Sequence, residues 1–157
     1  MTDVASLVGL TRSLAIYYGR PWRIGRMARF YRQFVRPGDI AFDIGAHVGN
    51  RTRALRQAGA HVVALEPQQL FFRFLSATLP DRVTLLPFAA GRAPQATTMS
   101  VSRRHPTVST IADGFGRSVA QAPGFAAVAW DRTQPVDVVT LDLLIALNSG
   151  LPGMCSV

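Results

Sequence analysis

Between residues 39 and 86 short apolar runs alternate with helix-length segments, and this alternation constrains the fold more than any other feature of the chain. Ile40–Ile44, His61–Leu65 and Val83–Leu86 are runs of four or five residues bounded by turn residues. None alternates apolar with polar over its length, the pattern of strands buried on both faces. Val48–Ala58 and Gln68–Leu79 between them have helical length. Gly59 stands where the first helix needs a C-terminal cap, and Leu70, Phe71, Phe74, Leu75 and Thr78 are expected to point inward from the second. Repeated strand–helix–strand units imply a parallel sheet with right-handed crossovers, that is, an α/β fold.

The turns after the first two strands carry the chemistry. The first strand runs into Asp43-Ile44-Gly45-Ala46-His47-Val48-Gly49, and the second closes on Glu66-Pro67. Glycines at a strand-to-helix turn let backbone approach a ligand that a Cβ would block. Glu66, the only glutamate, lies 23 residues after Asp43. An acidic residue at about that distance is where nucleotide-binding α/β folds grip ribose hydroxyls. The spacing Gly45-x-x-x-Gly49 is not G-x-G-x-x-G, so the pyrophosphate fingerprint of a dinucleotide site is missing. A carboxylate at Asp43 could oppose the ammonium of an amino-acid moiety, and Glu66 could accept two charge-assisted bonds from ribose. S-adenosylmethionine carries both groups.

The flanking regions divide the chain into an N-terminal helical segment, 1–38, and an α/β part, 39–157. Leu7, Leu10, Leu14 and Tyr17 give residues 4–18 a helical spacing. A second helix is expected over Trp22–Val35, with Met27, Phe30, Tyr31 and Phe34 on one stripe and Arg26, Arg29, Arg32 and Arg36 on another. After Pro87 the regularity lapses. Ala96–Val101 and Val136–Thr140 are candidate strands, and 102–135 reads as loop with one short helix near Gly116–Ala122. Asp142–Leu147 is a helix with Thr140 as N-cap and Gly150 as stop.

Composition excludes several classes. With 48% hydrophobic and 17% charged residues in 157, global disorder is not expected. The single cysteine, Cys155, forms no intrachain disulfide and supports no Cys-rich metal site, and no His/Cys/Asp/Glu group has metal-ligand spacing. All 17 basic residues are arginine, so a phosphate-loop lysine and a Schiff-base lysine are both impossible. No signal peptide and no run of 18 apolar residues is present, so the expected location is cytoplasmic. At a net charge of +8, the arginine stripe is a candidate surface for an anionic acceptor, nucleic acid or a membrane, against the plainer alternative of a solvated face. Without aromatic interleaving, nucleic-acid binding is not expected, and Trp22 and Trp130 read as packing residues. His61 reads as structural. His105, in Arg103-Arg104-His105-Pro106, is a possible general base, with Asp113 and Asp131 weaker still, so no catalytic residue is identified.

Four segments together resemble the FkbM family of S-adenosylmethionine-dependent methyltransferases. They are Phe42–Gly49, Val63-Ala64-Leu65-Glu66-Pro67, Pro106-Thr107-Val108-Ser109-Thr110, and Val139-Thr140-Leu141-Asp142-Leu143-Leu144 before Gly150-Leu151-Pro152. The resemblance runs from about residue 12 to the C-terminus. It implies a Rossmann-like class I methyltransferase sheet with N-terminal helices, and methyl transfer to an oxygen of a small-molecule or glycan-like acceptor. By position, Asp43, Gly45 and Gly49 would line the methionine side of S-adenosylmethionine, with Ala46 in the same cofactor site and His47 where the family often has asparagine, a solvent-exposed loop histidine being its plainer reading. Glu66 with Pro67 would hold the ribose, and Phe88, Ala89 and Ala90 would lie against the adenine. The family continues after Gly-Leu-Pro with a Lys-x-Asp-x-Glu-Gly strand; here Leu151–Val157 ends the chain. The expectation is a sheet incomplete on its C-terminal side and a truncated, weakly active or inactive methyltransferase. Two rivals remain open: a nicotinamide-dependent oxidoreductase, and a non-catalytic remnant that binds a nucleoside cofactor or a polyanion.

Overall fold

Ile40–Ile44 (β1), His61–Leu65 (β2) and Val83–Leu86 (β3) form a parallel sheet in the order β1-β2-β3 in the computed structural model of the chain. The structure describes residues 4–20, 22–112, 114–119, 122–123, 125 and 128–148. The register sets Asp43 beside Ala64 and Ile44 beside Leu65, so the C-terminal ends of β1 and β2 finish together. Asn50–Ala58 (α3) and Gln69–Thr78 (α4) supply the crossovers. Gly59 ends α3 at φ 113°, a left-handed cap that glycine adopts without cost, as its position in the sequence predicts.

Burial on both faces of β2 explains the unbroken apolar runs. Val62 and Ala64 pack with Ala46, Ala60 and Leu75 on the side of α3 and α4. Val63 and Leu65 face the opposite side and meet Leu144 of Leu141–Asn148 (α6), with Ile40, Phe42 and Val139 around them. Thr140 caps α6 as expected: its Oγ1 accepts the N–H of Leu143 at 3.2 Å. The expected stop at Gly150, Cys155 and the segment Leu151–Val157 lie outside the described residues, as does Asp113.

The C-terminal half departs from the sequence reading. Phe88–Ala90 (β4), Gln95–Val101 (β5) and Arg132–Val139 (β6) form a second three-stranded sheet, ordered β4-β6-β5. Its strands mix directions, β4 parallel and β5 antiparallel to β6. β4 was not expected at all, and β6 starts four residues before the expected Val136. Pro135 argues against a central strand. It is tolerated because β4 pairs only Asp137–Val139, leaving Pro135 with a strand neighbour on one side, Thr98 of β5. The short helix of the loop is Phe115–Val119 (α5).

The N-terminal segment consists of Val4–Tyr18 (α1) and Trp22–Tyr31 (α2), the second ending four residues short of its expected Val35. Tyr18 ties α1 to the sheet: its hydroxyl donates to the Val48 carbonyl at 2.7 Å and accepts from Arg53 Nε at 2.8 Å. No helix of the described residues is long and apolar enough to cross a membrane. Among those residues, no group of three His, Cys, Asp or Glu is placed to hold a metal ion.

Candidate functional site

The C-terminal ends of two adjacent parallel strands define the place to look, because a crossover there leaves a crevice with free backbone groups. A cavity of about 400 Å³ lies at this point, lined by Gly45, Ala46, His47, Arg51, Glu66, Pro67 and Gln68, and closed by Tyr17, Met27, Met99 and Ser109. The volume falls within the range of small-molecule sites.

Glu66 is 2% exposed and forms the centre of the wall. The backbone N–H of His47 donates to its Oε2 at 2.7 Å, and that of Gln68 to its Oε1 at 2.8 Å. The carboxylate therefore bridges the turns after β1 and β2. Burial pushes its pKa up to about 7, outweighing the two amide donors, which favour the ionised form.

His47 sits at φ 54°, in the left-handed region where few non-glycine residues are found. Its ring stacks on Phe71 with centroids 4.1 Å apart and meets Tyr17 edge-on at 5.6 Å. Burial, and after it the charge of Arg51, holds its pKa down to about 4, so the ring is neutral near pH 7. Its Nε2 is buried without a hydrogen-bond partner among the described residues.

Asp43 does not line this cavity. Its carboxylate, 4% exposed, accepts from Thr52 Oγ1 at 2.6 Å and lies 3.4 Å from Arg51 Nε. It thereby fixes the first turn of α3 and Arg51. The two glycines also separate. Around Gly45, at φ 75°, an added Cβ would meet nothing within 4 Å, so this residue presents open backbone to the cavity. At Gly49, at φ 77°, an added Cβ would come within 2.7 Å of Leu75 Cδ2, so here glycine lets α3 approach α4. Phe88 lines a different cavity, of about 630 Å³, beside β6 and the start of α4, and Ala89 is buried with Met99, Val136 and Val138.

Residues without a motif signal complete the site. Gln68 spans it: its Nε2 donates to the Pro106 carbonyl at 3.2 Å, and its Oε1 accepts from Ser109 Oγ at 3.2 Å. The Pro106–Ser109 segment is thereby drawn over the cavity. Gln134 holds the same turn from β6, its Nε2 donating to the Pro67 carbonyl at 2.6 Å and its Oε1 accepting the Gln69 N–H at 3.1 Å. His105 interacts with Arg12, Nη1 to Nδ1 at 3.0 Å, and does not line the cavity. Asp131 is committed to Arg103, Oδ2 to Nη2 at 2.8 Å.

Comparison with protein-family models, with curated proteins and with solved structures gives no significant match.

Proposed function

We propose that the chain binds S-adenosylmethionine at this cavity, as part of a methyl transfer to an acceptor oxygen of the kind the FkbM resemblance implies. One observation carries the reading: a buried carboxylate and an open-faced glycine share one cavity at the paired ends of β1 and β2. The residues fit the group. Each Glu66 oxygen takes one amide donor, and its remaining lone pairs suit ribose hydroxyls. Arg51, on the cavity wall with its side chain about half exposed, suits the methionine carboxylate. Asp43, turned toward Thr52, supports Arg51 from behind rather than meeting an ammonium. His47, held neutral, sets no positive charge beside a sulfonium. When bound, the cofactor supplies an activated methyl group. The transfer needs in-line placement of the nucleophile more than a strong base, and no residue here is assigned as catalytic.

Calorimetric titration with S-adenosylmethionine, S-adenosylhomocysteine and NAD tests the proposal. The adenosyl ligands bind and NAD does not; Glu66→Gln weakens binding by roughly tenfold to a hundredfold, the worth of a charge-assisted bond. Preference for NAD, or an affinity indifferent to Glu66, overturns the reading.

A further inference from the structure

Residues 4–38 hold seven arginines and no carboxylate. The two helices they form are dressed in an unusual way. On α1 the buried residues are small, Ser6, Gly9 and Ser13. Gly9 must be small, since an added Cβ would collide with the carbonyl of Arg103. Four of its six large aliphatics face outward: Val4, Leu7, Val8 and Ile16 are between 49% and 77% exposed.

On α2 the expected apolar stripe splits. Ala28 is buried, whereas Trp22, Phe30 and the following Phe34 are 56% to 61% exposed. At 100° per residue, Trp22, Arg26, Arg29, Phe30 and Arg23 fall on one side of the helix, opposite Ala28. Arg23, Arg26 and Arg29 make no ion pair or side-chain hydrogen bond among the described residues. The arginine face is thus interleaved with aromatics, contrary to the sequence reading, and Trp22 is not a packing residue. A groove of about 520 Å³, lined by Ile24, Met27 and Phe30 between Arg23 and Arg26, opens on this face. It shares Tyr17, Met27 and Asn50 with the candidate site.

We infer that α1 and α2 dock the protein on the surface of an anionic phospholipid bilayer. Arginines without counter-charges attract lipid phosphates, a tryptophan suits the headgroup level, and outward aliphatics enter the acyl boundary. A nucleic acid would use the arginines and the rings, but gains nothing from Val4, Leu7, Val8 and Ile16. The bilayer accounts for all three kinds of residue. This inference does not depend on what the cavity binds.

Flotation of the full chain with vesicles, without cofactor, tests it. The protein floats with phosphatidylglycerol-containing vesicles and not with phosphatidylcholine alone, less so as salt is raised. Its tryptophan emission shifts to the blue on binding, and this shift is lost in Trp22→Phe, since Trp130 is already bonded to the Val108 carbonyl. The triple variant Arg23→Gln/Arg26→Gln/Arg29→Gln lowers partitioning roughly 100-fold, about fivefold per arginine, with an unchanged thermal transition. Leu7→Ser/Val8→Ser lowers it as well. Failure to float on anionic vesicles overturns the inference. So does binding to single-stranded oligonucleotide that the arginine variant abolishes while vesicle binding is indifferent to Leu7 and Val8.

Discussion

Glu66 and His47 make opposing demands on pH, and their near-cancellation can be broken from either side. Burial raises the folded Glu66 from 4.5 to about 7 and lowers the folded His47 from 6.5 to about 4. Between pH 4.5 and 6.5 the folded chain holds a proton on Glu66 that the unfolded chain has released. Over the same window the unfolded chain holds one on His47 that the folded chain lacks. The two differences in bound protons cancel, and stability is nearly flat. Glu66→Gln leaves His47 alone: stability then rises with pH by about 1.4 kcal/mol per unit, roughly 3 kcal/mol between pH 4 and 6.5. His47→Asn leaves Glu66 alone, with asparagine tolerating the left-handed backbone. Stability then falls by a similar roughly 3 kcal/mol as pH rises from 4.5 to 7. The double variant is flat again. Asp131, held below the ordinary carboxylate range by Arg103, changes charge below this window and leaves it undisturbed. Urea unfolding followed by circular dichroism at pH 4.5, 5.5 and 6.5 measures all four proteins. A Glu66→Gln profile as flat as the parent's would refute the reasoning.

If ribose hydroxyls donate to Glu66, binding favours its ionised form, so affinity for S-adenosylhomocysteine rises with pH through about 7 and levels off above it. In Glu66→Gln that rise disappears, as calorimetry across pH 6 to 8 would show. Gly49→Ala combines left-handed strain with a collision against Leu75 and costs about 3 kcal/mol in chemical unfolding. Gly45→Ala meets open space, costs about 1 kcal/mol of backbone strain, and weakens ligand binding more than it weakens the fold. Gln134→Ala removes both ties to the Pro67–Gln69 turn and lowers stability by about 2 kcal/mol, with ligand affinity falling alongside.

The N-terminal β-α-β-α-β half was legible because burial on both faces writes itself into composition: all three strands were read with their observed bounds. The helix starts moved by one or two residues, since Gly49 and Gln68 provide no side-chain cap to mark them. The second sheet was illegible for a different reason. β4 is three residues long, and β6 contains a proline that only its place in the sheet makes acceptable. At the site, Gly45 and Glu66 were found because strand ends announce them. Arg51 and Gln68 gave no such signal, and the Pro106–Thr110 motif gave no sign of where it would lie: Gln68 joins it through side-chain bonds across 38 to 41 residues, which no local pattern records. The arginine stripe of α2 was visible and is exposed, but Phe30 and Phe34, placed on the apolar stripe, are exposed as well. A helical wheel tells which residues share a face, not which face the core accepts.

β1 ends its sheet with Ile40–Ile44 unpaired along one side among the described residues. The strand itself carries no proline and no lysine, and its single charge, Asp43, is turned inward to Thr52. A strand brought by a second chain finds unfilled backbone hydrogen bonds beside the exposed Ile44. Such an encounter is second order in protein, so turbidity in a stored sample grows with the square of concentration at first. Loss of monomer through that edge is expected to steepen with concentration, and light scattering on stored samples at several concentrations checks it.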